Sequence, residues 1–225
     1  METERSNHWR ERLRSSLLLY VLTDRQIANG RREPEIVEAA IVGGATAIQL
    51  RWKSGSLHEA FEIGRELQRI CERSDVLFVV NDRVDLAIAL DADCVHLGDE
   101  DLPVAAVRKI VGERMLIGYS PPTITEALEA EREGADYLGV GPVYGTSSKA
   151  DAGAAVGVGW ITEVSQAVSI PIVGIGGINA ANAHAVVAAG AVGVAVISSI
   201  VGADDVVSAT RELRMALMTA TTGDA

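Results

Sequence analysis

Gly43-Gly44-Ala45-Thr46-Ala47-Ile48-Gln49-Leu50-Arg51-Trp52-Lys53 reads as a helix stop, a short strand and a charged exit in one run. Gly43 follows a helical segment and suits a left-handed C-cap. Gly44-Ala45 marks the turn into the strand, and Ala47–Arg51 is short enough and apolar enough to be that strand. Side chains alternate along a strand, so Gln49, Arg51 and Lys53 share one face while Leu50 and Trp52 take the other. Two cations and an amide on the face of a buried strand are costly for structure alone. An anion lying in front of them removes that cost.

The same unit recurs. Gly134-Ala135 and Gly190-Ala191 repeat the Gly-Ala entry after other helical runs. Strands are expected at Leu17–Leu22, Ala47–Arg51, Leu77–Val80, Cys94–Leu97, Met115–Gly118, Tyr137–Val140, Pro171–Gly174 and Gly193–Ile197. Helices are expected at Pro34–Val42, Leu57–Cys71, Val84–Ala89, Val104–Val111, Thr125–Glu133, Ile161–Val168, Ala181–Ala189 and Asp205–Met218. Pro34 and Pro103 fit the first turns of their helices. Such an alternation, without a low-complexity linker, reads as an α/β protein, a single (β/α)8 TIM barrel spanning 1–225. Residues 1–14 are an N-terminal extension in this reading, and 219–225 a flexible tail. An open doubly wound sheet is the alternative, but evenly spaced units close more naturally. In a barrel, chemistry gathers at the C-terminal ends of the strands.

Lys and Arg number 20 against 31 Asp and Glu, a net charge of −11. That balance disfavours nucleic acid and anionic membrane as partners. Cys71 and Cys94 lie in no metal-like spacing and read as reduced, buried thiols. The apolar run Leu17–Leu22 is too short for a signal core or a membrane span. Glu2, Glu4 and Glu11 argue against a transit peptide, so the expectation is cytoplasmic.

Strand mouths carry the remaining signal. Val80-Asn81-Asp82 offers an amide and a carboxylate, although Asp82 alone could simply cap the next helix. His96-Leu97-Gly98-Asp99-Glu100-Asp101 is either a solvated acidic loop or, beside Asp82, half of a hard-cation site. Mg2+ takes oxygen ligands, usually one or two carboxylates plus substrate phosphates. His96 is read as a structural histidine in preference to a base. Ser120 can bind a ligand or cap a helix. Thr146-Ser147-Ser148-Lys149 suits a diphosphate, and a flexible surface loop is the plainer reading. Gly174-Ile175-Gly176-Gly177 and Ile197-Ser198-Ser199 suit a phosphate bound by the loops after strands 7 and 8. The glycines lack the spacing of a dinucleotide fingerprint. No serine- or cysteine-based nucleophile–base pair is evident. Two anion sites without an enzyme nucleophile suggest displacement of diphosphate by a second substrate.

Taken in order, Tyr20-Val21-Leu22-Thr23-Asp24, Gln49 to Lys53, Val80-Asn81-Asp82-Arg83, His96 to Asp101, Gly139 to Tyr144, Thr146 to Lys149 and Gly174 to Ile178 resemble the thiamine phosphate synthase family over nearly the whole chain. The resemblance implies joining 4-amino-2-methyl-5-(diphosphooxymethyl)pyrimidine to a thiazole phosphate or its carboxylated form, with Mg2+. It implies pyrimidine-diphosphate contacts at Gln49, Arg51, Lys53, Asn81, Ser120 and Lys149, with Arg51, Lys53 and Lys149 catalytic. It implies Mg2+ ligands at Asp82 and Asp101. Thiazole-phosphate contacts are implied at Thr146, Ser148, Gly176 or Gly177, Ile197 and Ser198. The chain departs from the family pattern at Asp99 (commonly Gln), Gly145 (commonly Pro) and Ser148 (commonly Thr). Two rivals are a thiazole tautomerase, which needs neither diphosphate nor Mg2+, and a non-catalytic phosphate-metabolite sensor. A homo-oligomer is left open.

Overall fold

The computed structural model describes residues 2–146, 148 and 153–221. Helix α1 (Glu2–Ser16) precedes β1 (Leu19–Leu22), α2 (Glu33–Gly43), β2 (Ala47–Leu50), α3 (Leu57–Ser74) and β3 (Leu77–Asn81). Then come α4 (Val84–Ala89), β4 (Cys94–Leu97), α5 (Val104–Val111), β5 (Leu116–Tyr119), α6 (Ile124–Glu133) and β6 (Tyr137–Val140). The chain ends with α7 (Gly157–Ala167), β7 (Ile172–Ile175), α8 (Ala183–Ala188), β8 (Gly193–Val196), α9 (Ser198–Val201) and α10 (Val206–Thr221). The strands are parallel and close in the order β1 to β8, a (β/α)8 barrel.

Period-two alternation sorts the core into two bodies. Leu19, Val21, Ile48, Leu50, Phe78, Val80, Val95 and Leu97 face outward and pack under the helices. Tyr20, Leu22, Ala47, Leu77, Val79, Cys94, Leu116 and Tyr137 fill the interior. Both faces of every strand are therefore buried, which is why the strands read as almost unbroken apolar runs. Both cysteines are buried and unbridged. No helix among the described residues is long and apolar enough to cross a membrane.

The structure shifts several boundaries. β2 stops at Leu50, and Arg51, Trp52 and Lys53 lie in the exit loop. Gly44, at φ +107°, is the left-handed cap of α2, donating its N–H back to Ala40 and Ile41. Gly43 has a different reason to be glycine: a Cβ there would lie 2.5 Å from Thr210 Cβ on α10. Pro34 sits in the first turn as expected, whereas Pro103 occupies the N-cap itself.

Most of the stretch read as an extension, 1–14, lies in helix α1 (Glu2–Ser16), which crosses the N-terminal end of the barrel. Trp9 and Leu13 join the interior cluster. Trp9 Nε1 donates to Asp93 Oδ1 at 2.7 Å, Arg5 Nε pairs with the same oxygen at 2.6 Å, and Asp93 Oδ2 accepts the Phe78 N–H. Burial pushes the Asp93 carboxyl above its ordinary value, against the pull of Arg5. Apart from Trp9 and Leu13 this helix has little apolar surface, so its periodicity is faint in the sequence. Trp9→Ala is expected to lower stability in urea unfolding by about 3–5 kcal/mol. Trp9→Phe, which keeps the ring and loses the bond to Asp93, is expected to cost about 1.5–3 kcal/mol.

Candidate active site

At the C-terminal mouth of the barrel lies a cavity of about 310 Å³. Arg51, Lys53, Asn81, Asp82, Asp101, Ser120, Thr146, Ser148, Gly176, Gly177, Ile197 and Ser198 all line it. These residues come from seven strand ends, and each had been singled out from the sequence. Gln49 does not line the cavity. It is buried one layer below, its amide nitrogen donating to Tyr20 Oη at 2.6 Å. Lys149 and Ser147 lie outside the described residues.

Arg51 and Lys53 form one wall, and each meets a carboxylate. Arg51 is 9% exposed, and its Nη1 lies 2.5 Å from Asp24 Oδ2. Asp24 is held in turn by the N–H groups of Gln26 and Ile27 on its other oxygen, at 3.0 and 3.1 Å. Arg51 N–H binds Thr23 Oγ1. Arg51 Nε has no protein partner among the described residues. Asp24 was quoted from the sequence only as part of a matching segment. Its role needs the β1–β2 pairing, which sets Leu22 beside Gln49 and so places the two strand exits side by side. Lys53 Nζ lies 2.8 Å from Asp82 Oδ2. Trp52 faces the outer core, and the Arg25 guanidinium stacks over its ring at 4.6 Å while pairing with Glu59 and Glu33. That stack steadies the exit loop from behind.

Asp82 adopts φ +61°, an unusual conformation for a non-glycine residue. Its side chain does not cap α4: the N-cap is Arg83, without a side-chain cap bond, and Arg83 pairs with Asp85. The capping alternative is thereby excluded. Asp101 Oδ2 accepts the Gly98 N–H at 2.7 Å. Burial first, and then the charge of Asp82 beside it, raise the Asp101 carboxyl above its ordinary value. Asp99 and Glu100 are exposed, so the solvated-loop reading holds for those two. Among the described residues no three potential ligands cluster into a protein cage. Two facing carboxylates, one resisting ionisation through burial and then through the charge of the other, nevertheless fit a hard cation that keeps waters and shares a ligand's oxygens.

The opposite wall is backbone and hydroxyl. Gly176 and Gly177 have φ +98° and +64°. A Cβ on either would lie 2.6 Å from Pro142 Cβ or Gly145 O, so the β6 and β7 exits fit together only through glycine. Val143 and Tyr144 N–H groups bond Ile175 O and Gly176 O across that seam. Ser148 Oγ donates to Ser198 Oγ at 3.0 Å, and Ser148 N–H to Thr146 Oγ1. Ile197 is the N-cap residue of α9. A Cβ at Gly145 would meet nothing within 4 Å, so that position is sterically open.

Between the walls a hydroxyl meets an imidazole: His96 Nε2 lies 2.9 Å from Ser120 Oγ. Sequence spacing hid the pair because β4 and β5 bring them together across 24 residues. The third group is Tyr137 Oη, 2.9 Å from His96 Nδ1. It is a phenol, not the carboxylate that would stabilise an imidazolium.

The thiamine monophosphate synthase (TMP-TENI) family matches residues 19–200 of the chain. The thiamine-phosphate synthase of Chloroflexus aurantiacus is 51% identical over 196 residues, covering 87% of this chain and 90% of the relative. That of Moorella thermoacetica is 48% identical, with 87% and 93% covered. The structure of thiamine phosphate pyrophosphorylase from Pyrococcus furiosus superposes with a TM-score of 0.86 at 46% identity, covering 92% of this chain and 98% of that one. With the barrel, the paired walls and these relatives in agreement, the chain is an enzyme of alkyl transfer that belongs to the thiamine monophosphate synthase family.

Proposed function

We propose that the enzyme condenses 4-amino-2-methyl-5-(diphosphooxymethyl)pyrimidine with thiazole phosphate, or with its carboxylated form with loss of CO2, releasing diphosphate and forming thiamine phosphate. The observation that carries this reading is the two-walled cavity. Cations and carboxylates stand on one side, and glycine backbone and hydroxyls on the other, both facing one space. Each wall suits a different anion.

Arg51, Lys53 and Lys149 hold the diphosphate. Arg51 is held in place by its contact with Asp24. Asp82 and Asp101 are the residues that would hold Mg2+. A bound Mg2+ supplies Lewis-acid stabilisation of charge on diphosphate oxygens. Asn81 and Ser120 border the space for the pyrimidine, with Gln49 beneath, and Thr146, Ser148, Gly176, Gly177, Ile197 and Ser198 seat the thiazole phosphate. The C–O bond to diphosphate breaks first, and its electron pair leaves with the diphosphate. The aminopyrimidine delocalises the resulting methylene cation, and the thiazole nitrogen then donates its lone pair to it. The protein's part is positioning and electrostatic preorganisation. The carboxylate pair favours this synthase over the tautomerase alternative.

Purified enzyme with both substrates and Mg2+ is expected to yield thiamine phosphate by thiochrome fluorescence, and EDTA is expected to abolish it. No product under any metal condition would sink the reading. Arg51→Ala and Lys149→Ala are each expected to cut kcat by about 10²–10³ with circular dichroism unchanged. Near-native turnover in either would misplace the diphosphate wall. Asp101→Asn is expected to raise the Mg2+ concentration needed for half-maximal rate by about tenfold or more. Its melting temperature should not fall, because the substitution relieves a partly buried charge beside Asp82.

A further inference from the structure

A hydrogen-bonded chain climbs the inside of the barrel to the cavity. Gln49 Nε2 donates to Tyr20 Oη at 2.6 Å, and Tyr20 Oη lies 3.1 Å from Tyr137 Oη. Tyr137 Oη is 2.9 Å from His96 Nδ1, and His96 Nε2 is 2.9 Å from Ser120 Oγ. Gln49, Tyr20 and Tyr137 are almost wholly buried, while His96 and Ser120 line the cavity. Glycine at two neighbouring inward positions makes the room. A Cβ at Gly118 would lie 2.5 Å from His96 Nδ1 and collide with the Tyr137 ring, and one at Gly139 would sit 3.0 Å from Ser120 Oγ.

Each phenol has one hydrogen to pass on, and burial raises both phenols well above their ordinary range, so both keep it. If Gln49 donates to Tyr20, the Tyr20 hydrogen goes to Tyr137 and the Tyr137 hydrogen goes to His96 Nδ1. An imidazole accepting at Nδ1 carries its proton on Nε2 and donates to Ser120. Rotating the Gln49 amide reverses every link and turns Ser120 and His96 into a nucleophile–base pair. The reversed amide would set two N–H donors where Gln49 Oε1 now has no protein partner among the described residues. Orphaned buried N–H groups are rarer than under-satisfied carbonyls, which favours the first direction.

We propose that Tyr137, backed by Tyr20, holds His96 as its Nε2–H tautomer, and that His96 in turn is a positioning residue through which Ser120 presents its own O–H to an acceptor atom of the substrate. Only the identity of that acceptor, a ring nitrogen or an oxygen, rests on the substrate reading above; the tautomer does not. The chain has four histidines, so a long-range 1H–15N spectrum of histidine-labelled enzyme at mildly alkaline pH is resolvable, with His96 assigned by His96→Gln. The wild type is expected to show the Nε2–H pattern. Tyr137→Phe is expected to release the ring toward Nδ1–H and to lower kcat/KM about tenfold. In a Ser120→Ala background the same change is expected to add little. Tyr20→Phe, with Tyr137 in place, is expected to keep the Nε2–H pattern, because the Tyr137 hydrogen loses Tyr20 as a competing acceptor and still goes to His96 Nδ1. An Nδ1–H tautomer in the wild type, an unchanged His96 spectrum in Tyr137→Phe, or full additivity with Ser120→Ala would overturn the proposal. Failure to make thiamine phosphate would instead overturn the substrate reading and leave the tautomer result standing.

Discussion

Arg51 enters the barrel mouth already paired, its guanidinium 2.5 Å from Asp24 with 9% of the residue reaching solvent. A charge that buried is tolerable only if it is matched and its partner is itself satisfied. Asp24 meets that condition because two backbone N–H groups fix its second oxygen. The pair costs desolvation, and a hydrophobic pair would fill the space more cheaply. Its retention makes sense for a site that must present a fixed cation to an anion without rearranging. Lys53, half-exposed and set against Asp82, is the more accessible counterpart on the same face.

The remainder of the site follows from where β2 points. Inward positions change character with height. α1 and the apolar layer of Leu77, Leu116 and Val173 close one end. Gln49, Tyr20, Tyr137 and His96 form a hydrogen-bonded layer above. The charged groups that line the cavity stand at the mouth, and the polar layer beneath carries no carboxylate. At the other end the buried Asp93 is matched by Arg5. The strain at Asp82 and the unfavourable proximity of Asp101 sit at that same mouth, where stability is commonly traded for binding.

The fold was legible because eight strand–helix units are a local pattern, and parity along Gln49-Leu50-Arg51-Trp52-Lys53 survived even though the strand ends at Leu50. Glycines were legible as punctuation but not always for the right reason: Gly43 is a packing residue and Gly44 the cap. What stayed hidden was contact between distant segments. Asp24 on Arg51, Ser120 on His96 and Trp9 on Asp93 each join residues that share no sequence period. Their geometry exists only once the barrel has closed.

The most direct test of the account is a crystal structure of the enzyme with inorganic pyrophosphate and Mg2+. Diphosphate oxygens are expected in hydrogen-bonding contact with Arg51 and Lys53, with a metal ion held at Asp82 and Asp101. Pyrophosphate seated instead on Gly176, Gly177 and Ser198, with no metal at the two aspartates, would contradict it.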